Sequence, residues 1–158
     1  MVLRINRKKY SGETKIECFA AFMHQQFVRS KDIDVIGKSG HAAFPQNAND
    51  TVVAAANLIM QIQTIISRSI DPIQSGVITL GKVNAGVIRN VIAGHTRIEG
   101  TIRGLTQKMI LQIDRRLQDV CDGIAHSYNV EVNLELNQGG YWPVENDPKI
   151  TKNFISYM

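Results

Sequence analysis

Cysteine, aromatic residues and long hydrophobic runs are all scarce in this sequence, and each shortage excludes a class of protein. Two cysteines, Cys18 and Cys121, lie far apart among 158 residues, which excludes a disulfide scaffold and suits a reducing, cytoplasmic compartment. No apolar run approaches the roughly 18 residues that a membrane span needs. Residues 1–12 have no apolar core of the kind found in secretory signals. The proportions of 44% hydrophobic and 20% charged residues predict a globular domain.

The positive charge is unevenly distributed along the chain. The net charge is +4 and the isoelectric point about 9.2, values that at first suggest a nucleic-acid or membrane partner. Residues 1–31 hold seven Lys or Arg and two Glu, whereas residues 32–158 have a net charge of −1. The globular part is therefore almost neutral, so we expect neither a nucleic-acid nor a membrane partner. Nucleic-acid binding remains the weakest hypothesis, because it depends on the first segment alone.

From residue 32 onward, the hydrophobic periodicity predicts a β-α-β-β-α-β order. The predicted elements are a strand at 32–37, a helix capped by Asn49 and reaching about Arg68, strands at 76–83 and 96–103, a helix capped by Thr106 and reaching about Tyr128, and a strand at 131–138. Each strand has one apolar face, as in an antiparallel sheet covered by helices on one side. This pattern predicts an α+β, ferredoxin-like fold with a four-stranded antiparallel sheet and two helices on one face.

Three segments follow from this pattern. Residues 1–31 form a basic segment without an assigned structure, and residues 32–139 form the ferredoxin-like domain. Residues 140–158 begin a new segment with a short helix from Pro148, as if the chain returned to a part that is missing. None of the four predicted strands contains an aromatic residue, which argues against an RNA-stacking surface.

Three polar residues lie at positions that the fold alone does not require. His41 lies within the turn Gly37-Lys-Ser-Gly-His-Ala-Ala-Phe-Pro45, Asn90 lies among apolar residues before a strand, and Arg103 ends a strand on its outward face. Taken singly, each is most simply a surface residue. The four histidines are scattered without the spacing of a metal site, so no metal ligand is assigned in this chain.

Together and in this order, these segments resemble the lid, or dimerisation, domain of the dinuclear-zinc aminoacylase/carboxypeptidase family. The resemblance covers about 115 residues and is strongest to the amidohydrolase branch, in particular to deacetylases of diaminopimelate and lysine synthesis. The similar stretches are the His41 turn, Asn-Asp-Thr-Val-Val-Ala-Ala-Ala from Asn49, Ile66-Ser-Arg68, Val77-Ile-Thr-Leu-Gly81, Asn90-Val-Ile92 and Gly100-Thr-Ile-Arg103.

The resemblance implies a metal-dependent N-acyl amino acid deacetylase, of which this chain is the lid. A separate catalytic domain would hold two divalent metal ions, expected to be zinc. His41 would cross the dimer interface and stabilise the oxyanion in the partner's active site, while Asn90 and Arg103 would grip the substrate. The lid would pair through its first helix, with a small apolar face at Val53–Ala56, and through an edge strand at Val77–Leu80.

Two departures from the family pattern accompany the resemblance. Ala93 replaces the proline that usually follows Asn-Val-Ile, which predicts a less constrained backbone there. The upstream His-x-Cys-Gly-His-Asp segment and the paired Glu-Glu that bind the metals do not occur in this sequence. We therefore expect the chain alone to be inactive. The alternative is a free-standing ferredoxin-like binding or regulatory module in which His41 and Arg103 are merely exposed.

Overall fold

The computed structural model describes residues 27–74, 76–137 and 147–156. Within them, four long strands form the main sheet. In chain order, the elements are β1 (Phe27–Ile36), β2 (Gly40–His41), a 3-10 turn (Pro45–Asn47), α1 (Thr51–Ser69), β3 (Gly76–Ala85), β4 (Val91–Ile92), β5 (His95–Gly104), α2 (Gln107–Tyr128), β6 (Glu131–Asn137) and α3 (Pro148–Ser156). Cys18, residues 1–26 of the predicted basic segment and residues 138–146 lie outside the described residues.

The strand order confirms the predicted fold class. The main sheet has the order β3-β5-β1-β6, and every neighbouring pair is antiparallel. The first and third long strands are therefore central, and β3 and β6 form the edges, which is the order of a split β-α-β arrangement. The second sheet contains only β2 and β4.

Both long helices cover one face of the main sheet, as the single apolar face of each strand predicted. Helix α1 contributes Leu58 and Ile62 to the core, and α2 contributes Ile113 and Leu117, all at most 1% exposed. They pack on the aliphatic side chains of the central strands, including the fully buried Ile98. Burial of each such side chain contributes about 1.5–3 kcal/mol, so this layer supplies most of the stability of the domain.

The structure corrects two details of the sequence analysis. Asp50, rather than Asn49, caps α1, because its carboxylate accepts hydrogen bonds from the backbone N–H groups of Val52 and Val53. Strand β1 begins at Phe27, five residues earlier than predicted, so one of the four strands does contain an aromatic residue. Thr106 caps α2 as predicted, since its hydroxyl accepts from the N–H of Met109.

The early start of β1 places two basic residues inside the domain. Arg29 and Lys31 point to the helix-covered face, and both form ion pairs with Asp114 of α2. The ammonium of Lys31 lies 2.9 Å from the carboxylate, and Lys31 is 2% exposed. Burial lowers the pKa of Lys31, partly opposed by its hydrogen bond and attraction to Asp114. Part of the charge that the sequence assigned to a separate basic segment thus belongs to the fold.

Candidate functional site

His41 lies on a small two-stranded ribbon, not in an isolated loop. The ribbon consists of β2 and β4, which pair Gly40 with Ile92 and His41 with Val91. The backbone N–H of Ala42 donates to the carbonyl of Asn90 over 3.1 Å. The structure therefore brings His41 and Asn90 together, although 49 positions separate them in the sequence.

The His41 imidazole is exposed, and its own turn orients it. The backbone N–H of Ala43 donates to the ring Nδ1 over 3.1 Å. The next residue, Phe44, donates its N–H to the carbonyl of His41 over 2.9 Å, and its ring centroid lies 5.9 Å from that of the imidazole. One edge of the imidazole thus faces the protein backbone.

Buried hydrogen bonds attach the ribbon to the body of the domain. The N–H of Gly37 donates to the carbonyl of Gly94 over 2.9 Å. The Thr51 hydroxyl donates to the carbonyl of Ala93 over 2.9 Å, and itself accepts from the Thr96 hydroxyl. Both threonines are at most 1% exposed. These hydrogen bonds fix the carbonyl of Ala93, although Ala93 lacks the ring of the proline that is usual at this position.

A close contact between Gly94 and Ser39 also holds the ribbon where it joins the body of the domain. A Cβ on Gly94 would lie 2.4 Å from the hydroxyl oxygen of Ser39 and 2.9 Å from its backbone nitrogen. Only glycine allows the segments around Gly94 and Ser39 to come so close without displacement. Sequence reasoning did not identify Thr51, Thr96 or Gly94 as supports, because nothing in their spacing predicts this pairing.

Asn90 closes a tight loop beside His41. Gly86 begins this loop with a φ of +69°, a conformation that favours glycine, and the N–H of Val91 donates to the carbonyl of Ile88. Asn90 itself is exposed. Several neighbouring apolar side chains are also exposed, namely Phe44, Val87, Ile88 and Val91. His41 and Asn90 therefore form a polar pair within an apolar surface, which we call the ribbon end of the domain.

Arg103 lies at the other end of the sheet. It pairs with Val28 on β1 and with Val77 on β3, eight residues along β5 from His95, where the ribbon joins the sheet. At a rise of about 3.3 Å per residue, this separation is roughly 26 Å. The first residues of β1 and the last residues of β6 lie at this same end, since Ser30 pairs with Asn137. We call it the base end; the structure does not bring Arg103 to His41 or Asn90.

The open face of the sheet carries a network of charged side chains. The Arg97 guanidinium donates to Asp32 and Asp34, each over 2.8 Å, and Lys82 donates to Glu99 over 2.8 Å. The carboxylates around Arg97 raise its pKa, that of Asp34 most strongly. The carboxylates that could ligate a metal are thus engaged by an arginine. In residues 27–74, 76–137 and 147–156, no group of three or more His, Cys, Asp or Glu could hold a metal.

The structure separates the predicted pairing surfaces into buried and exposed parts. Strand β3 is an edge strand, as predicted, and Val77 is half-exposed. In the predicted helix face, Ala54 and Ala55 are buried in the core. Val53 and Ala56 of that face are exposed, and α1 also exposes Val52 and Met60. No helix in the described part of the chain is long and apolar enough to cross a membrane.

Comparison with known proteins connects these features to a family. The model of the peptidase dimerisation domain matches residues 28–129. The N-acetyldiaminopimelate deacetylase of Lactobacillus acidophilus is 99% identical over 127 residues, and that of Pediococcus pentosaceus is 58% identical over the same length. Each match covers 80% of this chain and 33% of the relative. The chain thus spans about a third of the length of these curated relatives.

Solved structures show the same architecture. A crystal structure described as that of an aminohydrolase from methicillin-resistant Staphylococcus aureus matches with a TM-score of 0.80 and 32% identity, over 85% of this chain and 36% of that one. A hydantoinase/carbamoylase family amidase from Burkholderia ambifaria matches with a TM-score of 0.74 and 21% identity, over 84% and 32% of the two chains, which concerns the fold alone. The sequence, the strand order and these likenesses agree: the chain belongs to the peptidase dimerisation domain family.

Proposed function

We propose that this chain is the lid and dimerisation domain of a metal-dependent N-acetyldiaminopimelate deacetylase of diaminopimelate and lysine synthesis. The observation that carries the proposal is the 99% identity to one third of such a deacetylase. The exposed His41 and Asn90, side by side at the ribbon end, support it further. The enzyme is placed in the cytoplasm. Its two divalent metal ions belong to the catalytic part of the enzyme, because the described residues of this chain contain no group of three or more His, Cys, Asp or Glu that could hold a metal.

In this proposal the lid binds and polarises the substrate and performs no bond cleavage. When an N-acyl amide is attacked, negative charge develops on the carbonyl oxygen, and the imidazole N–H of His41 donates a hydrogen bond to it. Asn90 offers amide donors and an acceptor beside His41. The planar guanidinium of Arg103 suits a substrate carboxylate, which it can bind through two parallel hydrogen bonds.

The separation of Arg103 from His41 constrains how the lid serves an active site. Arg103 lies roughly 26 Å along β5 from the point where the ribbon joins the sheet, too far for a small amino acid derivative to touch both residues of one lid. The base end, where β1 begins and β6 ends, adjoins the catalytic part of the same subunit. Arg103 is therefore assigned to the active site of its own subunit, whereas His41 and Asn90 reach the site of the partner.

This arrangement requires a homodimer, which we assign to α1 and the edge strand β3. Val52, Val53 and Met60 on α1 are between 47% and 70% exposed, and Val77 on β3 is 45% exposed. Two copies related by a two-fold axis would bury these side chains and pair the free edges of their sheets.

The proposal is tested with the chain itself. Sedimentation equilibrium at micromolar concentration should give the mass of a dimer, and the chain should release no acetate from N-acetyldiaminopimelate with or without added Zn²⁺. The double variant Val53→Asp/Val77→Asp places charges on the proposed interface and should sediment as a folded monomer. Zinc-dependent deacetylation by this chain, or a wild-type monomer, would contradict the proposal.

A further inference from the structure

The hydrogen bond to the His41 ring determines where its proton lies. A neutral imidazole carries one proton, on either Nδ1 or Nε2, and only the nitrogen without it can accept a hydrogen bond. The backbone N–H of Ala43 donates to Nδ1 over 3.1 Å. The geometry therefore requires the proton of the neutral ring to lie on Nε2.

The N–H of Ala43 is held in this direction from both sides. The preceding residue, Ala42, donates its N–H to the carbonyl of Asn90 on the neighbouring strand. The following residue, Phe44, donates its N–H to the carbonyl of His41 and places its ring against the imidazole. Three consecutive backbone N–H groups are thus used, and the middle one is directed at the ring.

We propose that the backbone of Ala43 is a positioning group that locks His41 in the Nε2–H tautomer. Nε2 is the ring nitrogen farther from the backbone, so the lock turns an exposed imidazole into a donor aimed away from the domain. The catalytic meaning of this donor rests on the proposed function, but the tautomer does not. A ring free to exchange between tautomers would present a donor at this position for only part of the time.

The lock is measured by long-range proton–nitrogen correlation spectra of the ¹⁵N-labelled chain. The spectra are recorded under conditions in which the ring nitrogen shifts themselves show a neutral imidazole. Native His41 should show a single Nε2–H pattern, whereas the chain unfolded in urea should show the averaged pattern of two exchanging tautomers.

Two variants separate the amide from the rest of the turn. Ala43→Gly keeps the N–H and should keep the single pattern. Ala43→Pro removes the N–H and should give His41 the averaged pattern of the unfolded chain. The same averaged pattern in the native wild type, or an unchanged single pattern in Ala43→Pro, would overturn the proposal. The wild-type spectrum decides the question even if the proline variant fails to fold.

The catalytic role of the tautomer is tested separately in the full-length Lactobacillus acidophilus relative. A glutamine amide reaches the position of Nε2, whereas an asparagine amide reaches only that of Nδ1. His41→Gln should therefore retain about tenfold more kcat than His41→Asn. The reverse order would overturn the Nε2 role. If neither variant lost activity, the proposed function of His41 would fail while the tautomer result would stand.

Discussion

The base end and the ribbon end of the domain are held in opposite ways. At the base end, Arg29, Lys31 and Asp114 form a buried ionic cluster between β1 and α2. At the ribbon end, His41 and Asn90 are exposed, and their positions depend on backbone hydrogen bonds and on the close approach at Gly94. At the base end, the polar side chains pair with one another inside the fold. At the ribbon end, the His41 and Asn90 side chains are exposed, which is typical of residues that act on another molecule.

The largest effect on stability is expected from Asp114→Ala at the base end. The substitution removes the carboxylate that pairs with the buried Lys31 and the partly buried Arg29, which should lower the free energy of unfolding by about 3–5 kcal/mol. Urea denaturation followed by circular dichroism measures this loss. The matched control on the same helix is Asp119→Ala, whose ion pair with Arg116 is exposed and is expected to contribute less than about 0.5 kcal/mol. Equal losses of unfolding free energy in the two variants would contradict the contrast between the buried and the exposed ion pairs.

At the ribbon end, His41→Ala should affect activity and spare stability. In the full-length relative, loss of an oxyanion donor should lower kcat by about 10²–10³-fold. In this chain, the free energy of unfolding should change by less than about 0.5 kcal/mol, because the imidazole is exposed. Steady-state kinetics and urea denaturation together check the pair of outcomes. A large loss of stability would contradict this prediction, because it would show that the His41 side chain stabilises the fold.

The core shared by the two ends contains a pH-sensitive thiol. Burial raises the pKa of Cys121 from 9.0 to about 11. Because the folded chain keeps this proton while the unfolded chain loses it, the stabilisation is complete below about pH 9 and is lost as the pH rises toward 11. The loss should reach about 3 kcal/mol. Denaturation curves across this range should fall more steeply for the wild type than for Cys121→Ala, and parallel curves would contradict the assignment.

The smallest effect is expected from Gly94→Ala, which tests whether the ribbon is held rigidly. The added methyl group would collide with Ser39, including its backbone nitrogen, and should cost about 1–3 kcal/mol. Gly123→Ala on α2 is the control, because its methyl group meets open space and should stabilise the helix by up to about 1 kcal/mol. Thermal unfolding distinguishes the two signs. If Gly94→Ala left the unfolding temperature unchanged, the ribbon would have to adjust to the added methyl group and would not be held rigidly.

The sequence predicted the body of the domain well because period-2 and period-3.6 patterns extend over whole elements there. Asp50 and Asn49 are both good helix caps, so their order could not be decided from residue type. The burial of Arg29 and Lys31 was missed because charged residues seldom occupy the core, and their partner lies 85 and 83 positions away.

The candidate site was predicted only in part. His41, Asn90 and Arg103 were found through resemblance, but residue order along a chain does not reveal distance in the fold. Strands β2 and β4 are two residues long, too short for any periodicity, and they form only because distant segments pair. The grouping of His41 with Asn90 and the separation of Arg103 therefore needed the structure.

The central claim, that the two ends of one lid serve two different active sites, is tested most directly by hybrid dimers of the full-length relative. One subunit carries His41→Ala, and the other carries a disabled catalytic domain, so each homodimer is inactive. Mixing the two should restore the activity of one site per hybrid, because the second subunit supplies His41 in trans. The same experiment with Arg103→Ala should restore nothing. Failure of the His41 pair to recover activity, or recovery by the Arg103 pair, would contradict the account.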